Sequence, residues 1–248
     1  MKISPVAKIS LSGLILALVI IFTRFLSIQN IPVIPFVRIS IGPALIIFSS
    51  IFLGPLYGAV IGGASDILGI LLVPNALGYA INPWFTLIYT VLGILPWCFF
   101  KLFKLIKNEK TSFIGVVAIL AALYAFVLIY GLTQDLGLKT YIKIIIFVSV
   151  FVLLAGTAVG LFFINRKMKD GVVPVNVVAM TVLLSEILVM LIANSIVKSI
   201  FFEVNFFVVF FSASIVFFID IPLNTIVVSY LLKLANKVFY KSVNYEKA

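Results

Sequence analysis

The stretch GPLYGAVIGGASDILG, residues 54–69, decides how the chain is interpreted. It is apolar enough for a membrane helix, yet it contains five glycines, which favour a helix poorly, and one carboxylate, Asp66. Gly58, Gly62, Asp66 and Gly69 follow the intervals i, i+4, i+8 and i+11, so they form one stripe on a helix. Small residues at this spacing let two backbones approach closely in a membrane. The stretch therefore predicts a close-packed membrane helix with Asp66 facing protein rather than lipid.

The composition predicts an all-α polytopic membrane protein. Of 248 residues, 64% are hydrophobic and only 10% are charged, and the mean hydropathy is +1.31. A helix needs roughly 20 mostly apolar residues to cross a bilayer, and the chain contains many such runs. There is no histidine and one cysteine, Cys98, which excludes a disulfide within the chain, a Cys/His metal site and a histidine general base. No cofactor, metal or enzymatic activity is expected.

About eight spans are predicted within a single membrane domain, 1–248. They lie at about 7–28, 40–54, 56–73, 83–103, 112–131, 141–164, 176–198 and 206–236. The first is expected to be a retained helix rather than a signal peptide. The second and third are short and form a tight hairpin. The last is too long for one crossing, so we expect it to continue as a cytoplasmic helix ending near Tyr240.

The basic residues predict that both termini are cytoplasmic. Membrane proteins concentrate Lys and Arg in cytoplasmic loops, which explains the net charge of +10 better than nucleic-acid binding does. With the N-terminus inside, 13 of the 18 basic residues fall on the inner side. These are Lys2, Lys8, Lys101, Lys104, Lys107, Lys110, Arg166, Lys167, Lys169, Lys233, Lys237, Lys241 and Lys247, whereas Arg24, Arg38, Lys139, Lys143 and Lys198 lie at or near the outer side.

Three acids, Asp66, Glu186 and Asp220, lie within apolar runs. Each costs roughly 2.5–3.5 kcal/mol on insertion scales, so each is expected to face protein or water. Two interpretations stay open, a ligand or ion site and a structural pair between helices. Asn194 lies eight residues after Glu186, on the same helix face and nearer the outer end, where it can contact an external ligand. Glu186 is deeper and is expected to pair with another helix.

Two outward loops carry candidate ligand-binding groups. TRFLSIQNIPVIPFVRIS (23–40) contains Arg24 and Arg38, and arginine binds carboxylates bidentately. VPNALGYAINPWFTL (73–87) contains Tyr79 and Trp84, whose rings can stack on a flat ligand. Together they suit an anionic molecule with a heteroaromatic part. The alternatives are an interfacial aromatic belt and arginines that reach the headgroups or pair with an acid.

Several of these stretches together resemble the substrate-binding S components of energy-coupling factor (ECF) vitamin transporters, and most closely the folate-specific members. The motifs, in order, are TRFLSI, VRISIGPALI, LGPLYGAVIGGASDILG, NPWFTL and LSEILVMLIANSI. The resemblance covers 7–103 and, more loosely, 176–236, and the S-component core is taken as 7–103 and 176–240. The family has six helices, so residues 112–165 are interpreted as an inserted transmembrane hairpin. SIGP and INPWFTL depart from the family pattern at the presumed substrate mouth.

The resemblance implies roles for individual residues. Arg24 and Arg38 would bind substrate carboxylates, and Asn194 would hydrogen-bond a heterocycle edge. The lid and the ring-stacking surface would come from Tyr79, Asn82, Trp84 and Phe85. Gly13 and Ala17 match the small-residue stripe that contacts the coupling subunit. Separately, the position of Asp66 on the glycine stripe predicts that it supports the site by pairing with an arginine, such as Arg24 or Arg38, or with a helix-end donor.

The resemblance also implies partners. The chain has no GxxxxGK[ST] phosphate loop, so ATP hydrolysis would come from two ATPase subunits acting through a transmembrane coupling subunit. A vitamin, folate or folate-like, would be captured outside a prokaryotic cell membrane. The alternatives are an S component for another B vitamin or precursor, and a stand-alone secondary transporter. The latter predicts inverted repeats, and the two halves show no convincing repeat.

Overall fold

The computed structural model describes residues 4–29, 38–73, 82–105, 109–134, 140–167 and 174–245. Helices make up nearly all of this, which confirms the all-α class. The elements are α1 (Pro5–Ile20, continued by a π-helical turn, Ile21–Phe25), β1 (Ile28–Gln29), β2 (Arg38–Ile39), α2 (Gly42–Leu53), α3 (Pro55–Leu72), α4 (Pro83–Leu105), α5 (Glu109–Thr133), α6 (Thr140–Lys167), α7 (Val175–Glu186, continued by a π-helical segment, Ile187–Ala193), α8 (Asn194–Phe201) and α9 (Phe206–Tyr245).

The two short strands are the one feature of the described chain that the all-α prediction omits. They form an antiparallel ribbon in which Ile28 pairs with Ile39 and Gln29 with Arg38. Two residues per strand are too few to give a period-2 hydrophobic pattern, so the sequence carries no strand signal there. The ribbon brings the residues before α2 back onto the end of α1.

Contacts between helices fix their directions. The Lys8 ammonium lies 5.5 Å from the Tyr57 ring centroid, so α1 and α3 begin at the same end of the bundle. The Trp97 amide, in the second half of α4, donates to Ser50 Oγ in the last turn of α2 at 3.3 Å, so these two helices also run parallel. The end of the bundle that holds β1 and β2, opposite the start of α1, is called the ribbon end.

Seven helical segments of the described chain are long and apolar enough to cross a membrane. The remaining predicted span, the second in chain order, is α2. It has 12 residues and is about 18 Å long, shorter than the roughly 30 Å hydrocarbon core. Ile46 and Ile47 at its centre are fully buried. The neighbouring helices surround α2, so a short helix is stable there without reaching both membrane surfaces.

The glycine stripe packs α3 against α4. A Cβ on Gly58 would collide with the Gly93 carbonyl oxygen, and a Cβ on Gly62 would collide with the Tyr89 carbonyl oxygen. The two helices therefore touch backbone to backbone, which any larger residue at these positions would prevent. The predicted close-packing role of Gly58 and Gly62 is confirmed, and the packing also requires Gly93 in the partner helix.

The C-terminal helix exceeds a single crossing, as predicted. α9 has 40 residues, about 60 Å at 1.5 Å per residue, which is about twice the hydrocarbon thickness. Within the described residues it continues to Tyr245, five positions beyond the predicted end at Tyr240. Near the ribbon end it packs against the α5–α6 hairpin, with the Phe126 and Phe210 rings 5.0 Å apart. That this hairpin is an insertion stays a prediction.

Candidate functional site

A buried ion pair joins α1 to α3. Arg24 Nη2 lies 3.3 Å from Asp66 Oδ1, and the two side chains are only 5% and 6% exposed. The same nitrogen donates to the Asp66 carbonyl oxygen at 3.2 Å, and the Thr86 hydroxyl donates to Asp66 Oδ2 at 2.8 Å. Gly69 leaves the necessary space, because a Cβ there would stand 2.5 Å from Arg24 Nε. Asp66 therefore ties three helices together beside the ribbon.

Arg38 is held differently, by neutral partners. Its Nη1 donates to the Thr23 carbonyl oxygen at 3.3 Å, and its Nη2 donates to, and lies 2.6 Å from, the Tyr89 hydroxyl. A small cavity is lined by this guanidinium and by Arg24, Asp66 and Tyr89 together with Thr23 and Ser65. Arg38 and Tyr89 also line a larger cavity, called the main cavity here, whereas Arg24 and Asp66 line only the small one.

The main cavity lies between α2, α4, α7–α8 and α9. The space inside it that water can enter is about 60 Å³. The lining residues are Arg38, Ser40, Pro43, Tyr89, Glu186, Met190, Leu191, Asn194, Lys198, Ala213, Val216, Phe217 and Asp220. Two cations, two acids and an amide within an otherwise apolar bundle are the composition expected of a site for a polar ligand.

One face of α7–α8 provides a wall of this cavity. Glu186, Met190, Asn194 and Lys198 recur at intervals of four residues, and all four line it. The π-helical segment Ile187–Ala193 lies in the middle of this wall. A π-helix has i→i+5 hydrogen bonds and a wider turn, and such segments are frequent at functional sites. Asn194 faces the cavity, as its spacing from Glu186 predicted.

The two acids of the cavity have different surroundings. Glu186 is 2% exposed, and its Oε1 accepts a hydrogen bond from Asn224 Nδ2 at 2.7 Å. This is the predicted pairing with another helix, here α9. Asp220 Oδ1 is buried and has no hydrogen-bond partner among the described residues. A buried acceptor without a donor is uncommon in native proteins, so this atom is a candidate ligand contact.

The structure separates the predicted binding residues into two groups. Arg38 and Asn194 line the main cavity, whereas Arg24 is paired with Asp66 beside it. The Asp66 pairing is one of the two that the sequence suggested. Three of the four predicted lid residues lie at or just before the start of α4. Asn82 Oδ1 accepts from the Trp84 amide at 3.0 Å, the Trp84 side chain is exposed, and the Phe85 ring packs edge-on against Phe201 at 6.1 Å.

The remaining predicted residues lie elsewhere. Tyr79 is outside the described residues. Gly13 and Ala17 are exposed on the outer face of α1, and a Cβ on Gly13 would meet nothing within 4 Å. Gly13 therefore packs against no other side chain of the described residues, and Ala17 is exposed one turn later on the same face.

Sequence reasoning missed several lining residues. Lys198 continues the four-residue spacing of Glu186 and Asn194, and that periodicity would have found it. Tyr89 and Ser40 carried no comparable signal, because an aromatic residue or a serine within an apolar run is common. Among the described residues, no three His, Cys, Asp or Glu side chains cluster as metal ligands do.

Comparison with known proteins identifies the class. Residues 4–161 match the family model described as the ECF-type riboflavin transporter, S component. The match covers well over half of the chain, so the protein belongs to this S-component family of membrane transporters. This is a transporter family rather than an enzyme family, and membership implies a small-molecule substrate and association with other ECF components.

One relative of this chain is named for folate rather than riboflavin. The folate transporter FolT of Clostridium novyi (strain NT) is 31% identical over 157 residues, which cover 63% of this chain and 75% of FolT. The similarity to folate-type transporters noted in the sequence is therefore confirmed at the level of relatedness. No solved structure matches the chain.

Proposed function

We propose that this protein captures a vitamin of the folate type from outside the cell and delivers it through an ATP-driven partner module. The main support is the polar cavity within the apolar bundle, to which Arg38, Asn194 and Lys198 contribute near the ribbon end. An arginine and a lysine there suit the carboxylates of a folate-like molecule. The similarity to FolT supports folate as the substrate. The family model, which is described for riboflavin, supports another B vitamin as the alternative.

In this proposal Arg38 and Asn194 contact the substrate directly. Arg24 has its charge matched by Asp66, so its contact with substrate carboxylates, expected from the sequence, requires that this pair rearrange. Tyr79, Asn82, Trp84 and Phe85 remain proposed lid residues, and Asp66 remains the proposed support. The ribbon end would face outward, which puts both termini in the cytoplasm, as the basic residues predict.

The proposed partners are a transmembrane coupling subunit and two ABC ATPase subunits in a prokaryotic cell membrane. Gly13 and Ala17 are the proposed contact with the coupling subunit, which their exposure on α1 permits. An uncharged, flat face supports reversible docking, because no buried charge loses its partner in each cycle.

The substrate is tested directly on the purified full-length chain. Mass spectrometry identifies any molecule that co-purifies, and thermal shift with a vitamin panel ranks the candidates. Folate is expected to raise the melting temperature most, because a ligand stabilises the state that binds it. A larger shift with riboflavin or another B vitamin would replace the folate assignment. No shift with any vitamin would contradict vitamin capture.

The coupling face is tested by uptake. Gly13→Leu and Ala17→Leu should abolish ATP-dependent uptake by the assembled complex and leave vitamin binding to the isolated subunit within about twofold. The matched control is Gly156→Leu on α6, where a Cβ would also meet nothing within 4 Å. Uptake that persists in the α1 variants would contradict the contact. Uptake in cells that lack the ATPases would favour a secondary transporter.

A further inference from the structure

The main cavity has a charge gradient along the bundle. On α7–α8, Lys198 lies one turn from the ribbon end, whereas Glu186 lies twelve residues earlier, roughly 18 Å deeper. Asp220 lies 14 positions after the start of α9 at Phe206, roughly 20 Å from the same end. Arg38 starts from β2 at the ribbon end, and its guanidinium reaches the Tyr89 hydroxyl six residues into α4. The cavity is therefore basic at the ribbon end and acidic at its deep end.

The deep end offers acceptors that the described protein does not use fully. Asn224 occupies one oxygen of Glu186, and Asp220 Oδ1 has no hydrogen-bond partner among the described residues. Both side chains line the cavity. Buried acceptors are costly when no donor reaches them. A ligand that brings N–H donors to this depth would remove that cost, whereas one that brings carbonyl oxygens would increase it.

We propose, on the basis of the proposed function, that Glu186 and Asp220 select the ring of the vitamin by accepting hydrogen bonds from adjacent N–H donors. The 2-amino-4-oxo edge of a pteridine has this form, with a ring N–H beside an exocyclic amine. A carboxylate accepts two parallel bonds from such an edge, in the fork geometry that it uses for arginine. Arg38 and Lys198 hold the anionic tail toward the ribbon end.

The same acids act against a flavin ring. The corresponding edge of an isoalloxazine presents a carbonyl oxygen on each side of one N–H, and these oxygens would face carboxylate oxygens. A site built for hydrogen bonds strongly rejects an analogue that leaves its buried groups unpaired. The deep acids therefore discriminate between folate and riboflavin, the vitamins named for FolT and for the family model. The cations at the ribbon end do not discriminate between the two rings.

Truncated ligands test the two ends separately. Dissociation constants of the purified full-length protein are measured for folic acid, for 2-amino-4-oxopteridine, which lacks the tail, and for riboflavin. Asp220→Asn and Glu186→Gln should each weaken both pteridines at least tenfold. Arg38→Met should weaken folic acid at least tenfold and leave the tailless pteridine within about twofold. Glu203→Gln, which makes the same charge change at an exposed position, is the matched control and should leave all three constants within twofold.

The outcomes distinguish this inference from the proposed function. Pteridine binding that is unchanged in Asp220→Asn and Glu186→Gln overturns the ring selection alone. Wild-type protein that binds riboflavin more tightly than folic acid overturns both the ring selection and the folate assignment, and leaves vitamin capture standing. Wild-type protein that binds none of the three overturns both. If the acid variants fail to fold, the wild-type preference between the tailless pteridine and riboflavin still decides, because it requires no substitution.

Discussion

Replacement of Asp66 tests how the ribbon end is held together. Asp66→Asn leaves the Arg24 guanidinium, whose side chain is 5% exposed, without its charged partner. Breaking a buried pair from one side costs about 3–5 kcal/mol of unfolding free energy. The amide still accepts one hydrogen bond from Thr86 or Arg24, so the lower value, about 3 kcal/mol, is expected. In a chain of this size each kcal/mol lowers the melting temperature by about 2–4 °C, which predicts a fall of roughly 6–12 °C.

A double-mutant cycle in detergent-solubilised protein measures the pair itself. Arg24→Met should cost a similar amount, because it leaves the Asp66 carboxylate with Thr86 as its remaining side-chain donor among the described residues. The double variant should cost less than the sum of the two, by about 1–3 kcal/mol of coupling. Lys233→Gln, which removes an exposed charge, is the control and should leave the melting temperature unchanged. Additive losses, or a loss below about 1 kcal/mol in both single variants, would refute the argument.

Two further predictions concern α4. Gly62→Ala should lower the free energy of unfolding by about 1–3 kcal/mol, because the new Cβ would collide with the Tyr89 carbonyl oxygen. The control is Gly13→Ala, which has open space around it and should show no loss in the same thermal melt. Equal losses in the two variants would contradict close packing at Gly62. Tyr89→Phe should raise the dissociation constant for the vitamin, measured by calorimetry, about tenfold or more. It removes the 2.6 Å hydrogen bond that positions Arg38, and hydrogen bonds to charged groups contribute about 1.5–3 kcal/mol. An unchanged dissociation constant would show that Arg38 needs no such support.

The helices were predictable because their signals are local. Runs of apolar residues placed seven of the eight predicted spans on helices long enough to cross a membrane, and the spacing of Gly58 and Gly62 indicated close packing before any partner helix was known. The short α2 was also visible as a short run. The bounds of α9 were less predictable, since its helical residues continue beyond the apolar ones.

The cavity was only partly predictable because its walls come from distant parts of the chain. The spacing of Glu186 and Asn194 indicated a shared face, but Asp220 joins them only through the packing of α9 against α7. The Arg38–Tyr89 bond likewise depends on how β2 meets α4. Both π-helical segments, near Arg24 and at Ile187–Ala193, require an i→i+5 pattern that composition does not reveal.

The backbone contact between α3 and α4 has a practical consequence for labelling this protein. Cys98, the single cysteine of the chain, is exposed on α4 five residues beyond Gly93, where α4 touches Gly58. A maleimide dye or spin label on that thiol needs no prior removal of other cysteines. Because α3 and α4 are packed without intervening side chains at this contact, the label would report the tilt of the helix pair as one rigid body. Spectroscopy on the unmutated sequence can therefore measure the tilt of this helix pair in a lipid bilayer.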